Sequence, residues 1–463
     1  MSITVCALPV SATQIKQNKD YENFTEWCEN IEHISPAARK TVETLMKTVE
    51  TKDCLTAGMK LSKLTELSLS NPSISDINPL SGLTNLTQLN IDLSGDGITD
   101  ISPLSQLTNL TQLGINITGG GITDISPLSQ LTNLTQLGIN ITGGGITDIS
   151  PLSQLTNLTQ LNIDLSGDGI TDISPLSQLT NLTQLGISSW EITDISPLSQ
   201  LTNLTQLDIS SWEITDISPL SQLTNLTQMR LELLGDEIVD MSPLSELTNL
   251  TYLMLQGKQI KSVSSLSRSN NLTRIWIKNT QITDVNSLSG LTNLNGLWVM
   301  NNQVTDISAL SGLTNLTELW LDNNKIVDIS PLSGLTNLIE LSIDDNQVKD
   351  VSPLSALSNL TKLWLNNNQI KDVTSLSQLN NLIKLQISDN QIKNMSPLSK
   401  LTNLEYLVIQ DNLIANPICP IQPGFICKHK HGGPSHRGNY RCGGNRVKCG
   451  GESEQPLKFP TEF

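Results

Sequence analysis

Four of the seven tryptophans share one spacing. Trp276, Trp298 and Trp320 stand 22 residues apart, and Trp364 follows two such steps later, with Ser342 between and Met254 one step before. Tyr252, Arg274, Lys278, Met300, Glu318 and Asp322 lie two residues to either side. Aromatic side chains flanked by both signs of charge are the composition of a protein-binding hot spot when they face water. The same rings can instead pair across neighbouring strands and stiffen a sheet, and indole faces also stack on sugars, so three readings stay open at this point. Catalytic sets are missing: there is no Gly-rich phosphate loop, no G-x-S-x-G and no H-E-x-x-H. The Asp of Thr-Asp-Ile-Ser, such as Asp306 or Asp328, returns in copy after copy and is expected to cap the turn that follows. His429, His431 and His436 lie near Cys427, Cys442 and Cys449 but without paired C-x₂-C spacing, so no metal and no cofactor is expected there. A Cys442–Cys449 disulfide or plain disorder accounts for that segment instead.

A step of 22 residues must be imposed by whatever carries the tryptophans, and the unit Leu316–Asn337 shows what it is. Its apolar positions Leu316, Leu319, Leu321, Ile326, Ile329, Leu332 and Leu335, with Asn324 at the ninth place, form the frame of a leucine-rich repeat. The frame starts sixteen times, at Leu64, 86, 110, 134, 158, 182, 204, 226, 250, 272, 294, 316, 338, 360, 382 and 404. The step is 22 residues almost throughout, and 24 for the units at Leu86, Leu110, Leu134, Leu158 and Leu226. The L-x-L step has period two and predicts a short parallel strand, with Leu319 and Leu321 inward and Glu318, Trp320 and Asp322 outward. Ser-Pro in the return segment opens a short 3₁₀ or helical turn. The fold class is therefore a leucine-rich repeat solenoid: about sixteen repeats, a concave parallel β-sheet and a convex side of short turns, roughly 75 Å along the strand side at about 4.8 Å per strand.

Asn302, Asn324, Asn346, Asn368, Asn390 and Asn412 hold the ninth position in unbroken series. Inward carboxamides there are expected to bond the buried backbone groups of their own and the next turn, making the C-terminal half the regular and rigid one. In the N-terminal half Trp190 and Trp212 occupy that position, and loops such as LSGDG and ITGGG replace it, so glycine turns or water must satisfy the backbone. Several of these units are near copies, and their middle outward positions (Asn90, Gly114, Gly138, Asn162, Gly186, Asp208) are small or polar. The middle of the array reads as a spacer, and a strong ligand is expected to dock C-terminal to about residue 250.

The ends differ. Residues 1–12 resemble a truncated signal segment, with an ordinary loose terminus as the alternative. Residues 13–60 predict a helical N-terminal cap: Phe24, Trp27, Cys28 and Ile31 share one helix face, and Ser35-Pro36 opens a second helix carrying Val42, Leu45, Met46 and Val49. Cys28 and Cys54 flank that second helix and are expected to form a disulfide, the alternative being two buried thiols of a cytosolic protein. The repeats fill 61–416. At 417–427 three prolines forbid another strand, and Cys419 and Cys427 bracket a closing cap with its own expected disulfide. The tail 428–463 is Gly-rich and basic, and is expected to be disordered.

Net charge is −16; the tail from Lys428 holds seven Lys/Arg and three Glu, so the rest stands at −20. Such a surface disfavours nucleic acid and anionic membrane as partners, and no stretch is long and apolar enough for a membrane span. At ITDISPLSQLTNLTQL (98–113) and its many variants the chain resembles the 22-residue leucine-rich repeats of the bacterial internalin type. That resemblance implies a binding scaffold gripping a protein with its concave sheet. The Cys-flanked helical cap and the CPIQPGFIC closure resemble those of secreted bacterial leucine-rich repeat proteins without an immunoglobulin-like domain, so host-cell adhesion is not implied. The expectation is a non-enzymatic, monomeric protein-binding scaffold, secreted or at the cell surface with the cytoplasm as alternative. Carbohydrate binding and a structural spacer are the competing functions.

Overall fold

In a computed structural model the residues described are 21–69, 74, 76–93, 97–119, 121–143, 145–167, 169–414, 419–421 and 427–428. The signal-like segment 1–12 and the tail with its Cys442–Cys449 pair and three histidines lie outside them.

The chain opens with α1 (Phe24–Glu29), α2 (Pro36–Thr48) and α3 (Cys54–Leu61). Asn23, Ser35 and Asp53 cap them, each side-chain oxygen accepting the backbone N–H three residues on. Phe24, Trp27, Cys28, Val42 and Leu45 are buried on the faces that their helical spacing puts together. Thr41 Oγ1 on α2 donates to the Asp76 carbonyl at 2.6 Å, tying the cap to the first repeat. The Cys28–Cys54 disulfide joins α1 to the start of α3. α3 itself was not foreseen, since CLTAGMKL is too short to show a period.

Sixteen strands follow: β1 (Glu66–Leu69), β2 (Gln88–Asp92), β3 (Gln112–Thr118), β4 (Gln136–Thr142), β5 (Gln160–Leu165), β6 (Gln184–Ser189), β7 (Gln206–Ser211), β8 (Gln228–Leu233), β9 (Tyr252–Gln256), β10 (Arg274–Lys278), β11 (Gly296–Met300), β12 (Glu318–Trp320), β13 (Glu340–Ser342), β14 (Lys362–Trp364), β15 (Lys384–Gln386) and β16 (Tyr406–Val408). Each pairs in parallel with the next at a register of one repeat, as in Leu319↔Leu341 and Leu341↔Leu363. Between strands the chain returns through 3₁₀ turns such as Ser330–Gly334, with Pro331 in the first turn where its missing N–H costs nothing. The frame leucines and isoleucines fill one continuous core running from the helical cap through the last repeat. Each fully buried Leu contributes about 1.5–3 kcal/mol, and stacking supplies every repeat with two neighbours to bury it.

β3 and β4 reach seven residues where β12–β16 have three. In those longer units Leu113, Ile115 and Ile117 are all buried in alternation, so the period-two pattern continues one step past L-x-L and the pairing continues with it. The regular half turns sooner because Asn279, Asn301, Asn323, Asp345, Asn367, Asp389 and Asp411 adopt left-handed φ between 49° and 56°. Asn and Asp tolerate that conformation better than other L residues. The residue after five of these, the ninth-position Asn, is the buried one. Asn346 donates from Nδ2 to the carbonyls of Asp344 and Leu321, both at 2.9 Å, and accepts the Ile326 N–H at 3.0 Å on Oδ1. Its partners thus lie in its own and the preceding repeat, not the next.

Two further expectations are corrected. Trp190 and Trp212 do not substitute for the inward Asn: they are 58% and 49% exposed. Ser189 and Ser211 turn inward instead; Ser189 Oγ accepts the Glu191 N–H at 3.2 Å and the Ile192 N–H at 3.3 Å. The prolines do not end the sheet either. A two-residue strand, β17 (Cys427–Lys428), pairs with β16 once Pro417, Pro420 and Pro423 have been passed. Cys419 is disulfide-bonded; the side chain of Cys427 lies outside the described residues.

Candidate functional site

The tryptophan column sits on the concave face, since the outward position of each L-x-L is the one that alternation denies to the core. Strand register places Met254 beside Trp276, Trp276 beside Trp298, Trp298 beside Trp320, and Ser342 between Trp320 and Trp364. Pointing outward does not make all of them exposed, as the sequence reading expected. Met254 is 1% exposed, Trp298 2% and Trp364 8%. Trp276 and Trp298 stack with centroids 4.1 Å apart and planes 3° from parallel. The Trp298 ring folds back over its own strand, where a Cβ on Gly296 would sit 2.4 Å from ring atom Cη2. Glycine at that position, where other strands carry Gln, Tyr, Arg, Glu or Lys, makes the room. Trp320 and Trp364, two strands apart, close over Ser342 with centroids 5.2 Å apart.

What faces solvent is therefore a narrower surface. Tyr252, Trp276, Lys278, Met300, Glu318 and Trp320 are half-buried and Arg274 is exposed. Lys362 Nζ reaches Glu340 Oε1 at 2.6 Å along the same face. The indole N–H groups of Trp298 and Trp320 are buried with no hydrogen-bond acceptor, and such an orphan costs on the order of 1–3 kcal/mol. The face-to-face packing leaves no open face of Trp298 for a sugar ring.

Asp322 lies beside the column but turns along it. Its Oδ1 accepts Ser342 Oγ at 2.6 Å and the Asp344 N–H at 2.8 Å. Asp344 accepts the N–H and the side-chain amide of Asn366, at 2.6 and 2.9 Å, and Asn366 Oδ1 in turn accepts the Ser388 N–H at 2.9 Å. This ladder continues the strand bonding by side chains where β12–β15 have ended. Burial pushes Asp322 up to about 6 and Asp344 up to about 7, against the hydrogen bonds that favour the ionised form. The folded chain keeps protons here that the unfolded chain gives up near pH 4, so this contribution is complete below that pH and is lost as pH rises through about 6 to 7. Unfolding midpoints are expected to fall between pH 5 and pH 8 by an amount worth about 2 kcal/mol per carboxyl. Asp322→Asn, which keeps the acceptor oxygen as Asn366 does in the same column, flattens that fall; an unchanged profile would remove the ladder as its cause.

The concave face of β2–β8 is different. Gly114, Gly138 and Gly186 leave a groove of ≈ 750 Å³, bordered by Asn90, Asn116 and Asn140. At its C-terminal end Arg230 bonds Glu232 at 2.7 Å and lies 3.9 Å from Asp208, whose carboxyl burial raises to about 6. On the convex side the recurring aspartates cap turns as expected: Asp328 accepts the Ser330 N–H at 2.8 Å. The Asn of the Asn-Leu-Thr triplets is structural too, Asn337 Nδ2 donating to the Thr314 carbonyl at 2.9 Å one repeat back. Among the described residues no group of three His, Cys, Asp or Glu could hold a metal, and no helix is long and apolar enough to cross a membrane.

A family model described as leucine-rich repeats (two copies) matches residues 292–334, 336–378 and 380–423. Among solved structures, an internalin, inlF, of Listeria monocytogenes is 32% identical with a TM-score of 0.55, over 81% of this chain and 94% of that one. A leucine-rich repeat protein of Leptospira interrogans shares the fold at 22% identity and a TM-score of 0.69, over 81% and 95%. The plant peptide hormone receptor RGFR1, solved in complex with RGF2, shares it at 18% identity and 0.51, over 76% and 64%. A comparison with curated proteins found no match. Repeat frame, sheet, Cys-stapled cap and the likeness to inlF together place this chain in the internalin-like family of bacterial leucine-rich repeat proteins.

Proposed function

We propose that the chain is a non-enzymatic scaffold that recognises a protein partner through the concave face of β9–β14. The leucine-rich repeat fold is a common protein-interaction scaffold, and one observation supports this part of the face above the rest. Trp276, Trp320, Tyr252 and Met300 are half-exposed on neighbouring strands, β10 and β11 being bonded at their ends by the buried Asn302 and Asn324, with Arg274, Lys278 and Glu318 at the rim. Aromatic anchors inside a charged rim are what dominate protein interfaces. The concave face of β2–β6 offers mainly Gly, Asn, Asp and Ser. The Cys28–Cys54 disulfide supports a secreted or cell-surface setting, because such bonds persist in oxidising compartments.

The test is capture of protein from candidate surfaces by immobilised chain, with Trp276→Ala/Trp320→Ala as the comparison. The double variant is expected to lose the captured partner, at least roughly tenfold in affinity, while its circular dichroism stays unchanged. Undiminished capture by the double variant would remove the site from this face.

A further inference from the structure

Trp190 and Trp212 stand apart from the concave column. They belong to successive copies of Ser-Ser-Trp-Glu-Ile and are 58% and 49% exposed. They directly follow Ser189 and Ser211, register partners at the ends of β6 and β7, so the two indoles leave the sheet at the same edge, about 4.8 Å apart at the backbone. About half of each indole is thus left in water, where its apolar face is open to a ligand.

Trp212 walls a recess of ≈ 730 Å³ at this edge, within the size range of small-ligand sites. Its opposite side is a row of carboxamides. Asn301 Nδ2 donates to Asn279 Oδ1 at 2.7 Å, and Asn323 Nδ2 to Asn301 Oδ1 at 2.9 Å. All three sit at left-handed φ of 52–56°, so the turn backbone fixes the direction of each amide. Gln281 and Gln303 add further neutral donors and acceptors, and the charged residues lining the recess, Asp236 and Lys258, are one of each sign. A flat apolar wall facing neutral, pre-aligned amides suits a ligand that is itself uncharged, has a C–H face and carries many hydroxyls.

We propose that this edge recess binds a neutral oligosaccharide, one sugar ring lying on Trp212, the next reaching Trp190, and the hydroxyls meeting Asn279, Asn301 and Gln303. A folded protein partner would ask for deeper apolar pockets than this rim provides, and an anionic chain would meet a lysine matched by an aspartate. The site is independent of the concave face, and its test separates the two. Full-length chain is titrated by calorimetry with the hexasaccharides of β-1,4-glucose, β-1,4-N-acetylglucosamine and α-1,4-glucose at concentrations up to millimolar. At least one is expected to bind saturably, to weaken roughly tenfold in Trp212→Ala, to weaken also in Gln303→Ala, and to be unaffected in Trp276→Ala/Trp320→Ala. Absence of saturable binding by all three sugars, equal binding by Trp212→Ala, or loss of binding in the concave double variant instead would each overturn it.

Discussion

Trp298→Ala is expected to destabilise the protein by about 3–5 kcal/mol, the range for emptying a buried aromatic site, whereas Trp320→Ala changes stability far less. The two residues occupy the same repeat position, one strand apart. They differ in what surrounds them: Trp298 is 2% exposed, stacked on Trp276 at 4.1 Å and folded over Gly296, while Trp320 is half-buried with its ring tilted 38° from that of Trp364. Removing Trp298 leaves a void among neighbours whose backbones are pinned by the sheet and cannot collapse into it. In a solenoid such a loss is felt first by the repeats in contact with it, so urea unfolding followed by fluorescence should show an earlier or broader transition for Trp298→Ala. Equal, small effects for both variants would mean that Trp298 is a surface residue after all.

The second large effect is expected at Asn346. Alanine there strands the Ile326 N–H, which Asn346 accepts at 3.0 Å, and takes one of two donors from the Leu321 and Asp344 carbonyls, which keep Asn324 Nδ2 and the Asn323 N–H. An orphaned buried group costs about 1–3 kcal/mol, and Asn346 is only 8% exposed. A loss of about 2–3 kcal/mol follows, together with faster amide exchange at Ile326. The same change at Asn412 is expected to cost less, because that last rung is only half-buried. If Asn346→Ala and Asn412→Ala cost the same small amount, the carboxamide series does not hold the turns.

Much of this was readable from spacing. The 22-residue frame located all sixteen repeat strands, and Ser35-Pro36 and the Cys28–Cys54 pair located much of the cap, since capping and amphipathic faces are local properties. What escaped depends on neighbours in space. The exposure of Trp298 rests on Gly296, two residues earlier, and on the ring one strand away; nothing in the period-two pattern separates it from Trp320. Trp190 and Trp212 fall at the Asn position of a strict frame, yet Ser189, one residue earlier, carries the polar group that turns inward. The left-handed Asn or Asp ahead of each buried Asn was visible as the recurring Asn-Asn or Asp-Asn pair and was the available signal for where β12–β16 stop. The groove over β2–β8 and the recess at Trp212 arise where one repeat lacks a side chain that the next supplies, so they could not be read from any single unit.

The most direct measurement is amide hydrogen exchange on the chain alone and on the chain with its captured protein partner bound. Binding at the concave face is expected to slow exchange in β9–β14, between Tyr252 and Trp364, while the convex 3₁₀ turns of the same repeats exchange as before. Protection confined to those turns, or to β1–β8, would contradict it.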